Sequence, residues 1–239
     1  MAIMVQISEL MLRDEDQRAV FEDLHFRLHR GEWASVIGPQ GSGKTALLQV
    51  ICGEIRPDHG QILVDDRNIS RIHPDRLREL RRRIGIVPRN PPTLRRQTLM
   101  GALVFVRRAL GTSSPDASMK AQEVLSLVEL ADLGDRAVDE LNEPERQRFH
   151  LALALSHDPV LLLLDDPLSE LDDPQRRRYL QLLERLHLRR RLSILTTTTQ
   201  AEAVHDAPSS TYRLQEGTLY PISDSALAAV GTSGEEAET

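Results

Sequence analysis

Gly38-Pro39-Gln40-Gly41-Ser42-Gly43-Lys44-Thr45 follows the apolar run Trp33 to Ile37 and runs into the helical pattern TALLQVICG at 45 to 53. A Gly-rich turn therefore lies between a strand and a helix, and the octet fits G-x-x-x-x-G-K-[ST]. Its glycines allow backbone N–H groups to turn inward around a polyphosphate, and the helix start adds its dipole. Lys44 has the reach for β- and γ-phosphates, and the Thr45 hydroxyl suits Mg²⁺. The competing reading, a Gly-rich turn without function, is disfavoured by the strand and helix on either side.

Outward from the loop, Leu161-Leu162-Leu163-Leu164-Asp165-Asp166 has four apolar residues ending in carboxylates. Such a run reads as a buried strand of a parallel sheet, with Asp165 at the carboxyl edge where it would hold Mg²⁺. Taken alone, it is an ordinary strand entering a turn; together with the phosphate loop it reads as a nucleotide site. Ile84 to Val87 and Ser193 to Thr196 are further short strands, and helices are expected over Pro144 to Ser156 and Pro174 to Arg189. Asp172 or Asp173 supplies a cap before Pro174, and Gly53 ends the first helix. Residues 54 to 66 read as a turn and a hairpin strand at Ile62 to Val64. Alternating residues before Trp33 (Val5, Ile7, Val20, Leu24, Phe26, Leu28) predict two or three antiparallel strands with a polar turn at 13 to 18. Pro88 to Leu141 reads as mainly helical, with a loop at 111 to 118. Buried strands alternating with helices make an α/β fold.

Composition narrows the classes. The 239 residues are 40% hydrophobic and 28% charged, as in a globular protein, and a net charge of -6 gives no support to nucleic acid as a partner. Cys52 is the single cysteine, so an internal disulfide is excluded and a reducing compartment is expected. The start, MAIMVQISEL, lacks a signal-peptide pattern, and the longest apolar run, Val160 to Leu164, is far below a membrane span. The eight His residues show no metal-ligand spacing. Residues 224 to 239 are small, polar and acidic and read as a disordered tail.

Together these residues resemble the ATP-binding cassette (ABC) family over about Val5 to Tyr220. VLLLLDDPLSELD at 160 to 172 is similar to that family's Walker B strand and D-loop (Ser169 to Asp172), and RQRFHLALALSHDP at 146 to 159 to the helix after its signature. NISRIHPDRLRELRRRIGIV at 68 to 87 resembles the subgroup of the cell-division protein FtsE and the lipoprotein and macrolide exporters. The resemblance implies a P-loop NTPase domain over 1 to 223, with an antiparallel β subdomain and an inserted α-helical subdomain at about 88 to 155. It implies ATP and Mg²⁺ as ligands, and dimers, homo- or heteromeric, that clasp ATP head to tail. An integral membrane permease-like partner and a cytoplasmic position at the inner face of the membrane are implied as well.

Several positions depart from the family pattern. The signature L-S-G-G-Q falls on Leu141-Asn142-Glu143-Pro144-Glu145, where Pro144 has no N–H for a phosphate and two carboxylates oppose one. The same residues make a good helix start: Asn142 with Glu145 three on is a capping box, and Pro144 suits the first turn. The catalytic Glu is Asp166, one methylene shorter. The Q-loop Gln falls on Arg89, which has donors only, and the switch His falls on Thr198. The residues that would stack an aromatic on adenine are Arg13 to Asp16. ATPase activity with reduced turnover is one expectation; a non-hydrolysing scaffold, or a partner in a heterodimer, is the other. Ten Arg residues between 67 and 96 read either as a solvated face or as a contact for anionic lipid or a membrane partner.

Overall fold

The computed structural model describes residues 2–91, 96–200 and 210–222. The acidic tail at 224 to 239 lies outside the described residues, as do Arg95 and His205.

Strands β1 (Ile3–Arg13) and β2 (Ala19–His29) pair antiparallel, with Val5 opposite Leu28 and Ile7 opposite Phe26. The turn between them closes through the Arg18 N–H on the Asp14 carboxylate at 2.8 Å. β1 also pairs antiparallel with β4 (His59–Val64), which carries the two-residue β5 (Arg67–Asn68), giving a four-stranded sheet in the order β2-β1-β4-β5.

The second sheet has six strands among the described residues. β3 (Trp33–Ile37), β6 (Ile84–Val87), β7 (Leu161–Asp165) and β8 (Ser193–Thr198) run parallel, and β9 (Ser210–Gln215) joins β3 parallel while pairing antiparallel with β10 (Thr218–Ile222). The order is β10-β9-β3-β8-β7-β6. Alternation along β7 sends Leu161 and Leu163 into a core shared with the antiparallel sheet and α1 (Lys44–Ile51), and Leu162 and Leu164 into a core shared with helices on the opposite face. Burial on both faces is why β7 is a continuous apolar run.

The opposite face is covered by α3 (Leu99–Ala109), α4 (Ser114–Leu127), α5 (Glu143–Leu155) and α6 (Asp173–Arg190). α4 corrects the expected loop at 111 to 118. Ser113 accepts from the Asp116 N–H as N-cap, with Pro115 in the first turn, so the polar cluster starts a helix and only 111 to 113 remain outside helix. The helical expectation from Pro88 is also corrected, since α3 begins at Leu99. Arg67 to Arg83 contains α2 (Pro74–Arg81), capped by His73. Gly53 ends α1 at the position after its cap, with φ +71°. Its N–H meets the Val50 carbonyl and the Glu54 N–H meets Gln49, a Schellman ending.

Candidate nucleotide-binding site

Parallel registry places the carboxyl ends of four strands along one edge. Val87 lies opposite Leu164, Asp165 opposite Thr197, and Ile37 opposite Thr198. The residues that follow these ends, Gly38, Arg89 and Asp166, therefore converge, and α1 starts there with Gly43 as its cap. Gly43 sits at φ +97°, and a Cβ there would lie 3.0 Å from both Phe21 and Val20. At Gly38 a Cβ would lie 2.7 Å from the Leu214 carbonyl. Backbone conformation and close approach both demand glycine in this loop.

Lys44 is 6% exposed, and its Nζ donates to the carbonyls of Gly38 at 2.7 Å and Pro39 at 2.8 Å. Burial holds its ammonium below the ordinary lysine range, against the opposing charges of Asp166 and Asp165; Arg89 adds to the lowering. The Thr45 hydroxyl donates to Asp165 Oδ2 at 2.7 Å, while Thr197 donates to Asp165 Oδ1 at 2.8 Å. A hydroxyl and a carboxylate oxygen already in contact form a hard-oxygen pair of the kind Mg²⁺ takes, completed by phosphate and water. Among the described residues no group of three His, Cys, Asp or Glu is placed to hold a metal ion.

Asp166 takes a positive φ of 51° just past β7, and its side chain is 1% exposed. Neither carboxylate oxygen has a hydrogen-bond partner among the described residues. Arg89 Nη2 lies 3.6 Å from Asp166 Oδ2. Sequence reasoning singled out both positions but missed this pairing. Thr198 is buried, and its hydroxyl accepts from the Gln200 N–H at 3.1 Å, so its hydrogen bond closes its own turn.

Pro39, Gln40, Gly41 and Ser42 face a cavity of about 740 Å³, whose other wall includes Arg18, Val20 and Arg213. Among the described residues no aromatic side chain lines it.

The signature position has the expected capping box. Asn142 Oδ1 accepts from the Glu145 N–H at 2.9 Å, and Glu145 Oε2 accepts from the Asn142 N–H at 3.1 Å. Glu143 is held by Arg146 at 2.8 Å and Gln147 at 3.0 Å. Of the first three residues of α5, Pro144 has no N–H and that of Glu145 is taken by the cap.

The basic run is largely paired within the fold. Arg67 and Arg76 meet Glu79, Arg83 meets Asp65 at 2.6 Å, and Arg81 donates to the carbonyls of Cys52 and Gly53.

Comparisons with known proteins agree with this geometry. A family model described as ABC transporter matches residues 21–169. The chain is 34% identical over 196 residues to the sulfate/thiosulfate import ATP-binding protein CysA of Pectobacterium atrosepticum, covering 80% of this chain and 58% of that protein. It is 31% identical over 211 residues to the methionine import ATP-binding protein MetN of Symbiobacterium thermophilum, covering 88% of this chain and 64% of that one. The chain thus spans less than two thirds of the length of these relatives. Among solved structures, cbiO1 from Clostridium perfringens, part of the ABC transporter complex cbiONQ, matches with a TM-score of 0.87 at 20% identity, covering 98% of this chain and 92% of that one. The dimeric ATP-binding cassette MJ0796 bound to ADP and Pi matches with a TM-score of 0.82 at 22% identity, covering 92% and 99%. At such identities the likeness concerns the fold. With its phosphate loop between β3 and α1, its P-loop NTPase fold and a family match over more than half its length, the chain belongs to the ABC transporter family as an ATP-binding domain.

Proposed function

We propose that this chain is the ATP-binding subunit of a membrane complex, binding MgATP firmly and hydrolysing it slowly. It works as a dimer at the cytoplasmic face, under a permease-like partner. The observation that carries this reading is the 2.7 Å contact of Thr45 with Asp165, which joins the phosphate loop to the end of β7. In this reading the N–H groups of Gly38 to Thr45 cradle the phosphates and Lys44 moves from loop carbonyls to the β- and γ-phosphates. Thr45 and Asp165 hold Mg²⁺, which when bound neutralises phosphate charge. Asp166 stands where a base would orient water, yet it shares its charge with Arg89. A side chain one methylene shorter than the glutamate of the family pattern favours binding over turnover, as does the capped start of α5. The stretch 68 to 87 supports an FtsE-like or export role, whereas the relatives named above are import proteins. The reading common to both is a subunit whose nucleotide occupancy is passed to a membrane partner. Among the described residues no helix is long and apolar enough to cross a membrane.

The test is MgATP titration alongside steady-state phosphate release on one preparation, with Lys44→Ala as reference. Wild type is expected to bind and Lys44→Ala to lose about tenfold or more in affinity. Phosphate release by wild type should stay close to the variant's. Absence of binding by wild type overturns the reading; robust release abolished in Lys44→Ala overturns slow turnover.

A further inference from the structure

Arg89 and Asp166 make an unusual pair for a phosphate site. The carboxylate is almost fully buried, yet neither oxygen accepts a hydrogen bond among the described residues. Its guanidinium neighbour stands at 3.6 Å, too far for a hydrogen bond, and is 40% exposed. A buried carboxylate without hydrogen bonds is costly and gains from any cation that approaches it. A guanidinium has five donors in a planar fork that matches phosphate oxygens, and this one spends none of them on Asp166. Among the described residues its recorded link to Asp166 is an ion pair without a hydrogen bond. Arg89 also acts electrostatically on Lys44, whose Nζ marks the bottom of the phosphate loop.

Three charged groups therefore converge beyond the end of the loop: Lys44, Asp166 and a loosely held Arg89. The terminal phosphate of a nucleoside triphosphate on that loop would enter between them. Its charge and equatorial oxygens offer Arg89 a better partner than a carboxylate with which it makes no hydrogen bond. Repulsion between the same phosphate and Asp166 drives the exchange in the same direction. With a diphosphate, the carboxylate remains the nearer anion.

We propose that Arg89 reads the terminal phosphate: it leaves Asp166 for the γ-phosphate of ATP and returns to Asp166 when ADP is bound. Rapid exchange of partner is possible because Arg89 follows β6 in a loop and is partly solvent-exposed. The inference rests on the nucleotide reading of this site and adds to it a means of distinguishing the triphosphate from the diphosphate.

Titration of MgATP and MgADP into wild type, Arg89→Gln, Arg89→Lys and Asp166→Asn tests this. Arg89→Gln is expected to weaken MgATP about tenfold while MgADP stays within about twofold, so the ratio of the two affinities collapses. Arg89→Lys should recover part of the loss, having the charge without the fork. Asp166→Asn removes the competing anion and should leave MgATP bound as tightly as in wild type or more so. Equal weakening of both nucleotides by Arg89→Gln, or no change in either, overturns the proposal. So does a loss of MgATP affinity in Asp166→Asn matching that of Arg89→Gln, which would make the pair merely structural. Wild type that binds neither nucleotide overturns the nucleotide reading along with this one. Wild type that binds ATP, with Arg89→Gln indistinguishable from it, overturns this inference alone.

Discussion

At Tyr179 a phenol hydroxyl is buried in α6 with no hydrogen-bond partner among the described residues, and burial pushes its pKa upward. An unsatisfied buried hydroxyl costs free energy that a phenyl ring of the same shape does not. Tyr179→Phe is therefore expected to leave stability unchanged or raise it by up to about 1 kcal/mol, read from the denaturant midpoint at constant slope. Loss of more than that amount would reveal a partner for the hydroxyl. Residues of this kind are invisible in sequence, where Tyr179 is one more position on a helical pattern. Arg89 and Asp166 show the same limit. Their types and positions were legible, but a 3.6 Å separation across two strands was not. By contrast Gly43 was legible, because its positive φ and the approach of Phe21 leave only one side chain that fits.

Among the elements, α5, like α6, starts with a reciprocal capping box and a proline in its first turn. Its cap is local, made by residues three apart, so the sequence pattern carried it in full. Asn142→Ala is expected to cost about 1 kcal/mol of stability while leaving MgATP affinity for the chain's own phosphate loop unchanged, as a paired denaturation and titration would show. Unchanged stability would mean the cap contributes nothing. α2 was hidden for the opposite reason. PDRLRELR has only Leu77 and Leu80 as apolar residues, and what holds the helix is tertiary: Arg81 on the carbonyls of Cys52 and Gly53, and Leu77 against Gly53. β9 and β10 were hidden because TYRLQ and TLYPI offer a short alternation that only the β3 edge makes into a sheet. At α4 the signal was present and misread, since SSPD serves a helix start as readily as a loop.

For the molecule as a whole, pH acts through buried imidazoles. Burial lowers His150 from 6.5 to about 4, against a favourable charge from Glu143 and with a further lowering from Arg146. Burial lowers His157 too. The unfolded chain takes up a proton at His150 before the folded one does. Stability from keeping it neutral is therefore complete above about pH 6.5 and is lost as pH falls toward about 4, on the order of 3 kcal/mol in all. Glu129, held below its ordinary range by Arg185 and Arg178, pushes in the same direction at lower pH. Denaturation near pH 7.5 and near pH 5 should show the loss, and His150→Leu should shrink the difference between them. An undiminished difference in that variant would assign the effect elsewhere.

The capped start of α5 reaches beyond the chain that carries it. In a head-to-tail pair, as the family resemblance implies, that helix would face the nucleotide held by the neighbouring subunit, while Arg89 and Asp166 face the chain's own. The two departures then fall on different nucleotides. A neighbour with every motif complete would mend neither interface fully. One composite site would regain its signature but keep Arg89 and Asp166, and the other would regain its base but keep the sealed helix. Such a mixed pair would hold two composite sites that differ in which half is incomplete.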